Sequence, residues 1–164
     1  MFISYLLLGS NLNLPIEQLR RAKELLQKNS IHIIAQSKIY HTAAWGNTHQ
    51  PDFLNMVMQV QSTLTPTDLL LTLKQIEKQM GRPDNYEHWG ARIIDIDILY
   101  YQNEVIDLQN LHIPHPYLHQ RRFTLVPLND IAPDFIHPKL QQSNKQLLKN
   151  CSDTSIVTET NLKL

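Results

Sequence analysis

Strand-like and helix-like segments follow one another along this chain in a characteristic order. Four segments are rich in apolar residues and have the length of β-strands: 2–8, 31–42, 53–62 and 91–101. One helical pattern lies between the first and second of these segments, and another lies between the third and fourth. The order β-α-β-β-α-β predicts an α+β sandwich of the ferredoxin-like kind, an antiparallel-rich sheet with helices packed on one face. The crossover through the second helix predicts that the strands before and after it are parallel.

The two predicted helices carry start signals and apolar stripes. The first has Pro15 near its start, and Thr65 and Pro66 begin the second, which we expect to stop at Gly81. Their apolar residues recur at helical spacing: Leu19, Ala22, Leu25 and Leu26 in the first, and Leu69, Leu70, Leu73, Ile76 and Met80 in the second. Residues 112–134 are punctuated by prolines and predict short helices at most.

The length of 164 residues suits one compact domain, which we place at 1–140 with 141–164 as a polar, loosely held C-terminal extension of it. Fifteen basic and fifteen acidic residues balance, so we expect no nucleic-acid or membrane partner and only local anion sites. The single cysteine, Cys151, cannot form an internal disulfide, which favours a reducing compartment, the cytoplasm. We read the apolar start as a strand rather than a signal peptide, and a monomer is the simplest expectation.

Segment 91–101, ARIIDIDILYY, raises a chemical question because Asp95 and Asp97 interrupt an apolar strand. Alternation puts Ile94, Ile96, Ile98 and Tyr100 on the core face and both aspartates on the other, about 7 Å apart. Two like charges flanked by apolar side chains call for a compensating cation, and a pair of Mg²⁺ ions is the natural candidate. The alternative is that this face is simply solvated.

Arginines surround this strand in the sequence. Arg82 and Arg92 precede the acid pair, and Arg121 and Arg122 follow it, so converging loops would make a metal–phosphate site. The alternative is that each arginine forms surface pairs with acids such as Asp84. The chain has only four glycines and no glycine-rich phosphate loop, so side chains and metal must hold any phosphates.

The third strand places an aromatic ring beside an amide on its polar face. Phe53 and Asn55 share that face, a combination that suits a flat heterocycle which stacks on the ring and hydrogen-bonds along its edge. Phe123 could form the opposite wall. The alternatives are a Phe covering the sheet edge, a turn-like Asn and plain core packing of Phe123.

Three histidines, His112, His115 and His119, lie within eight residues. A zinc site is conceivable, but this Pro-rich segment would not bring all three together, and a phosphate or ribose contact by one histidine is the better hypothesis. Glu77 is either an ordinary exposed acid or a group that reaches a ligand hydroxyl.

Several segments together resemble the 6-hydroxymethyl-7,8-dihydropterin pyrophosphokinase family of folate biosynthesis. The resemblance covers residues 2–138 and rests on LGSN, QPDFLNMV, IEKQMGR, WGARIIDIDIL, IPHPYLHQRRFTLVPL and IAPDF, in this order. It implies a ferredoxin-like α+β fold and transfer of diphosphate from ATP to the pterin hydroxymethyl group, with release of AMP.

The resemblance also implies roles for individual residues. Asp95 and Asp97 match the pair that holds two Mg²⁺ ions, and Arg82 and Arg92 match arginines that neutralise transition-state charge. The pterin pocket is implied at Thr42, Ala43, Trp45, Phe53, Asn55 and Phe123. The ATP site is implied at Glu77, Trp89, Ile98, His112, His115 and Arg121, in several cases through backbone atoms.

The chain departs from the family pattern at four positions that bear on ATP affinity: Lys74, Asp84, His88 and Asn110. A catalytically weakened pterin- or nucleotide-binding relative is therefore an alternative, and a structural interaction domain is a third. The acid pair favours the enzyme, because binding of a pterin alone needs no metal ligands. We expect loops 43–52 and 82–91 to close over both substrates and exclude water.

Overall fold

A computed structural model describes residues 1–43, 50–82 and 91–164. The strands are β1 (Phe2–Ser10), β2 (His32–Gln36), β3 (Tyr40–Thr42), β4 (Phe53–Ser62), β5 (Asp95–Tyr101), β6 (Ile106–Leu108), β7 (Leu111–Ile113) and β8 (Val157–Glu159). The helices are α1 (Pro15–Lys28), α2 (Pro66–Gln79), α3 (Arg122–Ile131) and α4 (Asn144–Asn150). Within the described ranges, no helix is both long and apolar enough to cross a membrane.

The main sheet has the strand order β5-β1-β4-β3-β8, and β2 also pairs with β4. Strand β1 is antiparallel to both β4 and β5, so these two strands run parallel to each other on either side of it. The predicted antiparallel-rich α+β sheet and the parallel relationship across α2 are confirmed. The predicted strand 31–42 is two strands, β2 and β3, and β6 and β7 form a separate hairpin.

Helices cover both faces of the sheet, so the prediction of one covered face is wrong. On one face, Leu6 and Leu8 of β1 pack in a core with α1 and α2. On the other, Leu7 and Val57 pack in a second core with residues of α3 and α4, among them Leu125, Leu128 and Leu147. The physical reason is that β1 is apolar on both faces, and α3 continues for ten residues through Pro127 to cover the second one.

A bulge changes the alternation along β5. Ile94, Ile96 and Ile98 lie in the core beneath α1 and α2, as predicted. Tyr5 pairs with Tyr100 while its neighbour Leu6 pairs with Ile98, so Leu99 is an extra residue in β5. Tyr100 therefore packs in the second core with Tyr5 instead of sharing the isoleucine face.

The C-terminal segment is part of the packed structure. Asn144, fully buried at the start of α4, accepts a hydrogen bond from the Tyr100 hydroxyl at 2.7 Å and donates one to the Ala132 carbonyl at 2.7 Å. Strand β8 extends the sheet by pairing with β3. The expectation of a loosely held tail is wrong for α4 and β8, because Leu147 packs in the second core and β8 is hydrogen-bonded to β3. The domain boundary at residue 140 stays a prediction.

Candidate active site

The candidate site lies where the end of β1 meets the beginnings of β4 and β5. Gly9 pairs with Asn55 on one side and with Asp95 on the other, and Leu7 pairs with Asp97. Neighbouring strands lie about 4.8 Å apart, so the acid and the amide stand about 10 Å apart across Gly9. A cavity opens over this row, on the sheet face that α3 and α4 cover further along. Its lining is Leu7, Gly9, Thr42, Ala43, Gln50, Phe53, Asn55, Arg92, Asp95, Asp97, Arg121 and Phe123.

Asp95 is held by two arginines. Arg82 Nη1 contacts Asp95 Oδ1 at 2.5 Å, and Arg92 Nη1 forms an ion pair with Asp95 Oδ2. Burial alone would raise the pKa of Asp95, but Arg82 and Arg92 outweigh it and hold this pKa below its usual value. Arg82 and Arg92 therefore belong to the site and are not merely surface partners of other acids.

Glu77 links α2 to the acid pair. It is 2% exposed, and its Oε1 accepts from the Ile96 backbone N–H at 2.7 Å and contacts Arg82 Nη1 at 2.7 Å. Its Oε2 pairs with Lys74 Nζ at 2.9 Å. The alternative of an ordinary exposed acid is therefore wrong, and contact with a ligand hydroxyl stays a prediction. Lys74, one of the departures from the family pattern, neutralises this buried carboxylate.

Asp97 is the carboxylate that the described residues leave uncompensated. No hydrogen bond or ion pair joins it to a residue in the described ranges, whereas Asp95 has two arginines. Burial, followed by the charges of Asp95 and Glu77, raises the pKa of Asp97 to about 7, although Lys74 and Arg121 oppose this. Two carboxylates on one strand face, one of them without an ion-pair partner among the described residues, fit a hard cation such as Mg²⁺.

The predicted ring-and-amide pocket forms the other half of the cavity. Phe53, Asn55 and Phe123 all line it, together with Thr42 and Ala43. Asn55 Nδ2 donates to Thr42 Oγ1 at 2.7 Å, which sets the orientation of the amide and keeps Oδ1 as its acceptor. Phe53 and Phe123 both face the cavity, and Phe123 also packs against the second core. Their roles as walls for a bound ring stay a prediction.

Arg121 joins the two halves of the site. It is 9% exposed and lines the cavity beside Asp97. Its guanidinium carbon lies 4.9 Å from the Tyr117 ring centre and 5.7 Å from that of Phe123. Stacking of this kind fixes a guanidinium plane while leaving its charge available to an anion.

Other predicted residues lie beside the cavity or away from it. The backbone N–H of His115 donates to Leu99 O at 3.0 Å. Burial, reinforced by the charge of Arg121, lowers the pKa of the His115 ring to about 4, so the ring is neutral at pH 7. The Ile98 side chain lies in the opposite core, so only its backbone can reach a ligand. His112 is exposed and pairs with Asp107 at 2.6 Å, and Asn110 lies in the exposed turn between β6 and β7.

Several predictions fall on residues that the structure does not describe. Trp45, Trp89, Asp84, His88 and most of the two predicted closing loops lie outside the described ranges. Among the described residues, no group of three His, Cys, Asp or Glu side chains could hold a metal ion, and the three histidines do not form a zinc site.

The sequence analysis did not single out several residues that line the cavity or hold its segments in place. Gly9 and Ser10 end β1, Asn11 follows it, and Gln50 lies at the start of the segment that leads into β4. Ser10 Oγ donates to Ile93 O at 2.5 Å, just before the acid pair. The available signal was the motif LGSN itself: small polar residues at the end of a buried strand, where the backbone approaches other segments closely.

Comparison with known proteins identifies the class as a transferase of the pyrophosphokinase type. Residues 5–133 match the family described as 7,8-dihydro-6-hydroxymethylpterin-pyrophosphokinase (HPPK). The chain belongs to this family. It is 39% identical over 158 residues to the 2-amino-4-hydroxy-6-hydroxymethyldihydropteridine pyrophosphokinase of Haemophilus influenzae, with 96% of this chain and 98% of that one covered. It is 42% identical over 142 residues to the enzyme of the same name from Aquifex aeolicus, with 87% and 88% covered.

Solved structures show the same fold. A crystal structure of Plasmodium falciparum HPPK-DHPS superposes with a TM-score of 0.71 at 20% sequence identity. The match covers 92% of this chain but 43% of that one, so this chain spans less than half the length of the HPPK-DHPS protein. At this identity the likeness supports the fold, and the named relatives support the family.

Proposed function

We propose that this chain transfers diphosphate from ATP to the hydroxymethyl group of 6-hydroxymethyl-7,8-dihydropterin, the reaction of its family in folate biosynthesis. The hydroxymethyl oxygen attacks the β-phosphorus of ATP and releases its proton to solvent. A new O–P bond forms, the bond from the β-phosphorus to the oxygen of the departing AMP breaks, and the pterin diphosphate is the second product. The observation that carries the assignment to this site is the uncompensated Asp97 carboxylate beside a cavity with an oriented amide and two phenyl rings.

Asp95 and Asp97 are the residues that would hold Mg²⁺ on the triphosphate, and the family resemblance implies two ions. When bound, Mg²⁺ supplies positive charge to the phosphate oxygens and fixes their orientation. Asp97 has no competing partner among the described residues, so it offers its oxygens directly. Asp95 is held by Arg82 and Arg92. If Asp95 held Mg²⁺, these guanidiniums would be able to turn from Asp95 to the phosphates of the substrate.

Arg82, Arg92 and Arg121 supply the positive charge that the transferred group requires. Little covalent chemistry is left to the protein in a phosphoryl-type transfer, so positioning and electrostatic stabilisation dominate. Arg92 and Arg121 line the cavity, and Arg82 lies immediately behind Asp95. In this proposal Arg82 and Arg92 are the catalytic pair, and Arg121 binds ATP phosphates.

The pterin ring lies between Phe53 and Phe123, with its edge on Asn55. Thr42 orients the amide, and Ala43 lines the same cavity. The family resemblance adds Trp45 to this pocket. Glu77, Trp89, the backbone of Ile98, His112 and His115 form the ATP site in this proposal. His112 is the weakest member, because its side chain lies exposed on the β6–β7 hairpin.

The setting we propose is a cytoplasmic monomer that acts on small molecules. The single cysteine, Cys151, supports a reducing compartment. Light scattering coupled to size-exclusion chromatography tests the monomer: a mass of about 19.1 kDa supports it, and twice that value contradicts it.

The test is AMP formation from ATP with Mg²⁺, with and without the pterin. We expect AMP from the natural protein only when the pterin is present. Asp97→Asn should lower the rate at least 100-fold, because metal-borne charge stabilisation amounts to several kcal/mol and about 1.4 kcal/mol corresponds to a factor of ten. Asp134→Asn, which changes an exposed carboxylate between α3 and α4, is the matched control and should keep full activity. Pterin binding without AMP formation would instead support the weakened-relative alternative.

A further inference from the structure

We propose that Asn11 is a positioning residue that ties the catalytic arginine Arg92 to the wall of the pterin pocket. The inference rests on the proposed function, because it concerns the same cavity. Asn11 follows directly after β1 and is 3% exposed. It does not line the cavity, so it acts through the residues it holds.

One side of Asn11 fixes the backbone of Arg92. The Asn11 N–H donates to Arg92 O at 3.1 Å, and the Arg92 N–H donates to Asn11 Oδ1 at 2.8 Å. These two bonds continue the pairing of β1 with β5 beyond the end of both strands. They hold the Arg92 main chain three residues before Asp95, the acid that its guanidinium reaches.

The other side of Asn11 holds the segment that leads into β4. Asn11 Nδ2 donates to Pro51 O at 2.8 Å and to Gln50 Oε1 at 3.2 Å. Gln50 lines the cavity, and Pro51 lies two residues before Phe53, one of the proposed walls of the pterin pocket. A single buried amide therefore joins the arginine side of the cavity to the pterin side.

The chemistry of this position requires asparagine. The amide offers one acceptor oxygen and a nitrogen with two donor hydrogens. The oxygen accepts from Arg92 on one side, and the nitrogen donates to residues 50 and 51 on the other. Aspartate keeps the acceptor but loses the donor, alanine loses both, and serine is too short to span both segments. A buried polar group left without its partner costs about 1–3 kcal/mol, so the main chains at 50–51 and 92 cannot shift independently at low cost.

The test compares steady-state kinetics of Asn11→Ala and Asn11→Asp with those of the natural protein. Because misplacement of a reacting group by about 1 Å can cost about 100-fold, we expect Asn11→Ala to lower kcat 10- to 100-fold and to raise the pterin KM. Asn11→Asp should raise the pterin KM by more than it lowers kcat, because the bond from Arg92 N–H is kept while the bonds to 50–51 are lost.

A double-mutant cycle separates positioning from general destabilisation. In the Arg92→Ala background, Asn11→Ala should lower kcat less than about threefold, because the group it positions is already missing. Asn144→Ala is the structural control: it removes an equally buried amide with two side-chain bonds in the second core, and should lower Tm with kcat and KM unchanged. Equal losses of kcat in both Arg92 backgrounds would overturn the proposal.

A readout that does not need activity keeps this proposal distinct from the proposed function. Amide hydrogen exchange in segments 50–53 and 91–94 should accelerate in Asn11→Ala and stay unchanged in Asn144→Ala. An inactive natural protein with this exchange pattern would overturn the proposed function but support the link made by Asn11. Unchanged exchange in both segments would overturn the link, whatever the activity.

Discussion

Glu77 Oε1 accepts a hydrogen bond from the Ile96 N–H at 2.7 Å, and Ile96 is the residue between the two acids of β5. The same oxygen contacts Arg82 Nη1 at 2.7 Å, and Arg82 also binds Asp95. Helix α2 thus fixes the strand that carries Asp95 and Asp97, and places the arginine against one of them. Glu77 therefore supports the geometry of the site as well as belonging to the proposed ATP site.

Replacement of Glu77 should destabilise the fold more than replacement of an exposed glutamate. Glu77→Ala leaves the Ile96 N–H buried without its acceptor and removes one of the two acids that contact Arg82, so we expect a loss of about 3 kcal/mol in the free energy of unfolding. Urea denaturation measures it. Glu24→Ala removes an exposed glutamate of α1 and should cost less than about 0.5 kcal/mol. Equal effects of the two substitutions would contradict the role of Glu77.

A side chain at position 9 should impair pterin binding. A β-carbon on Gly9 would lie 2.7 Å from Asn55 Oδ1 and 3.8 Å from Phe53 Cδ1, and the Asn55 amide is already held by Thr42. We expect Gly9→Ala to raise the pterin KM at least 10-fold, about 1.4 kcal/mol of binding free energy. When Asn55 is already alanine, the added Gly9→Ala change should have little further effect. Additive effects would show that Gly9 does not act through Asn55.

Asp97 should limit stability when no metal is present. Burial and the charges of Asp95 and Glu77 outweigh the opposing charges of Lys74 and Arg121 and raise the pKa of Asp97 to about 7, so above this pH its ionised form opposes folding. We expect Asp97→Asn to raise the unfolding free energy by roughly 1–2 kcal/mol at pH 8 in EDTA, while abolishing any added stability from Mg²⁺ with an ATP analogue. Thermal unfolding with and without these ligands measures both effects. A less stable Asp97→Asn in EDTA would mean that the aspartate has a stabilising partner.

His137 should make the fold sensitive to acid. It is 3% exposed, its Nδ1 accepts from the N–H groups of Lys139 and Leu140 at 3.2 Å each, and burial, reinforced by His119, lowers its pKa to about 4. The unfolded pKa is about 6.5, so this stability is complete above pH 6.5 and is lost as pH falls towards 4, up to about 3 kcal/mol. His115 contributes with the same sign.

His137→Asn keeps an acceptor but cannot take up the proton. Urea unfolding between pH 4 and 7 should therefore show a smaller acid-side loss of stability in His137→Asn than in the natural protein. Identical pH profiles would contradict the prediction. The control is His32, an exposed histidine in β2. His32→Asn should give the same acid-side loss of stability as the natural protein.

The sequence predicted the parts of the site that lie on regular elements. Alternation along β4 and β5 placed Phe53 with Asn55 and Asp95 with Asp97 on the face opposite the core, and the structure has all four in one cavity. The family inferred from the ordered motifs is confirmed by the match over residues 5–133. Period-two patterning is reliable here because one face of each strand must be buried.

What could not be predicted depends on contacts between distant segments. The bulge at Leu99 places the Tyr100 side chain on the other face of the sheet, and no local sequence pattern indicates it. Asn144 is polar and near the C-terminus, yet it is fully buried because Tyr100 and Ala132 satisfy its amide. Asn11 and Glu77 are polar residues whose partners lie far along the chain, so composition alone assigned them no structural role.

A crystal structure of this protein with Mg²⁺, a non-hydrolysable ATP analogue and the pterin tests the central claim most directly. We predict metal density within about 2.1 Å of oxygens of both Asp95 and Asp97, and the pterin ring between Phe53 and Phe123 with its edge on Asn55. The β-phosphorus should face the pterin hydroxymethyl oxygen, and Arg92 should have turned from Asp95 to phosphate. Phosphates bound away from both aspartates, or a pterin outside the two phenyl rings, would contradict the account.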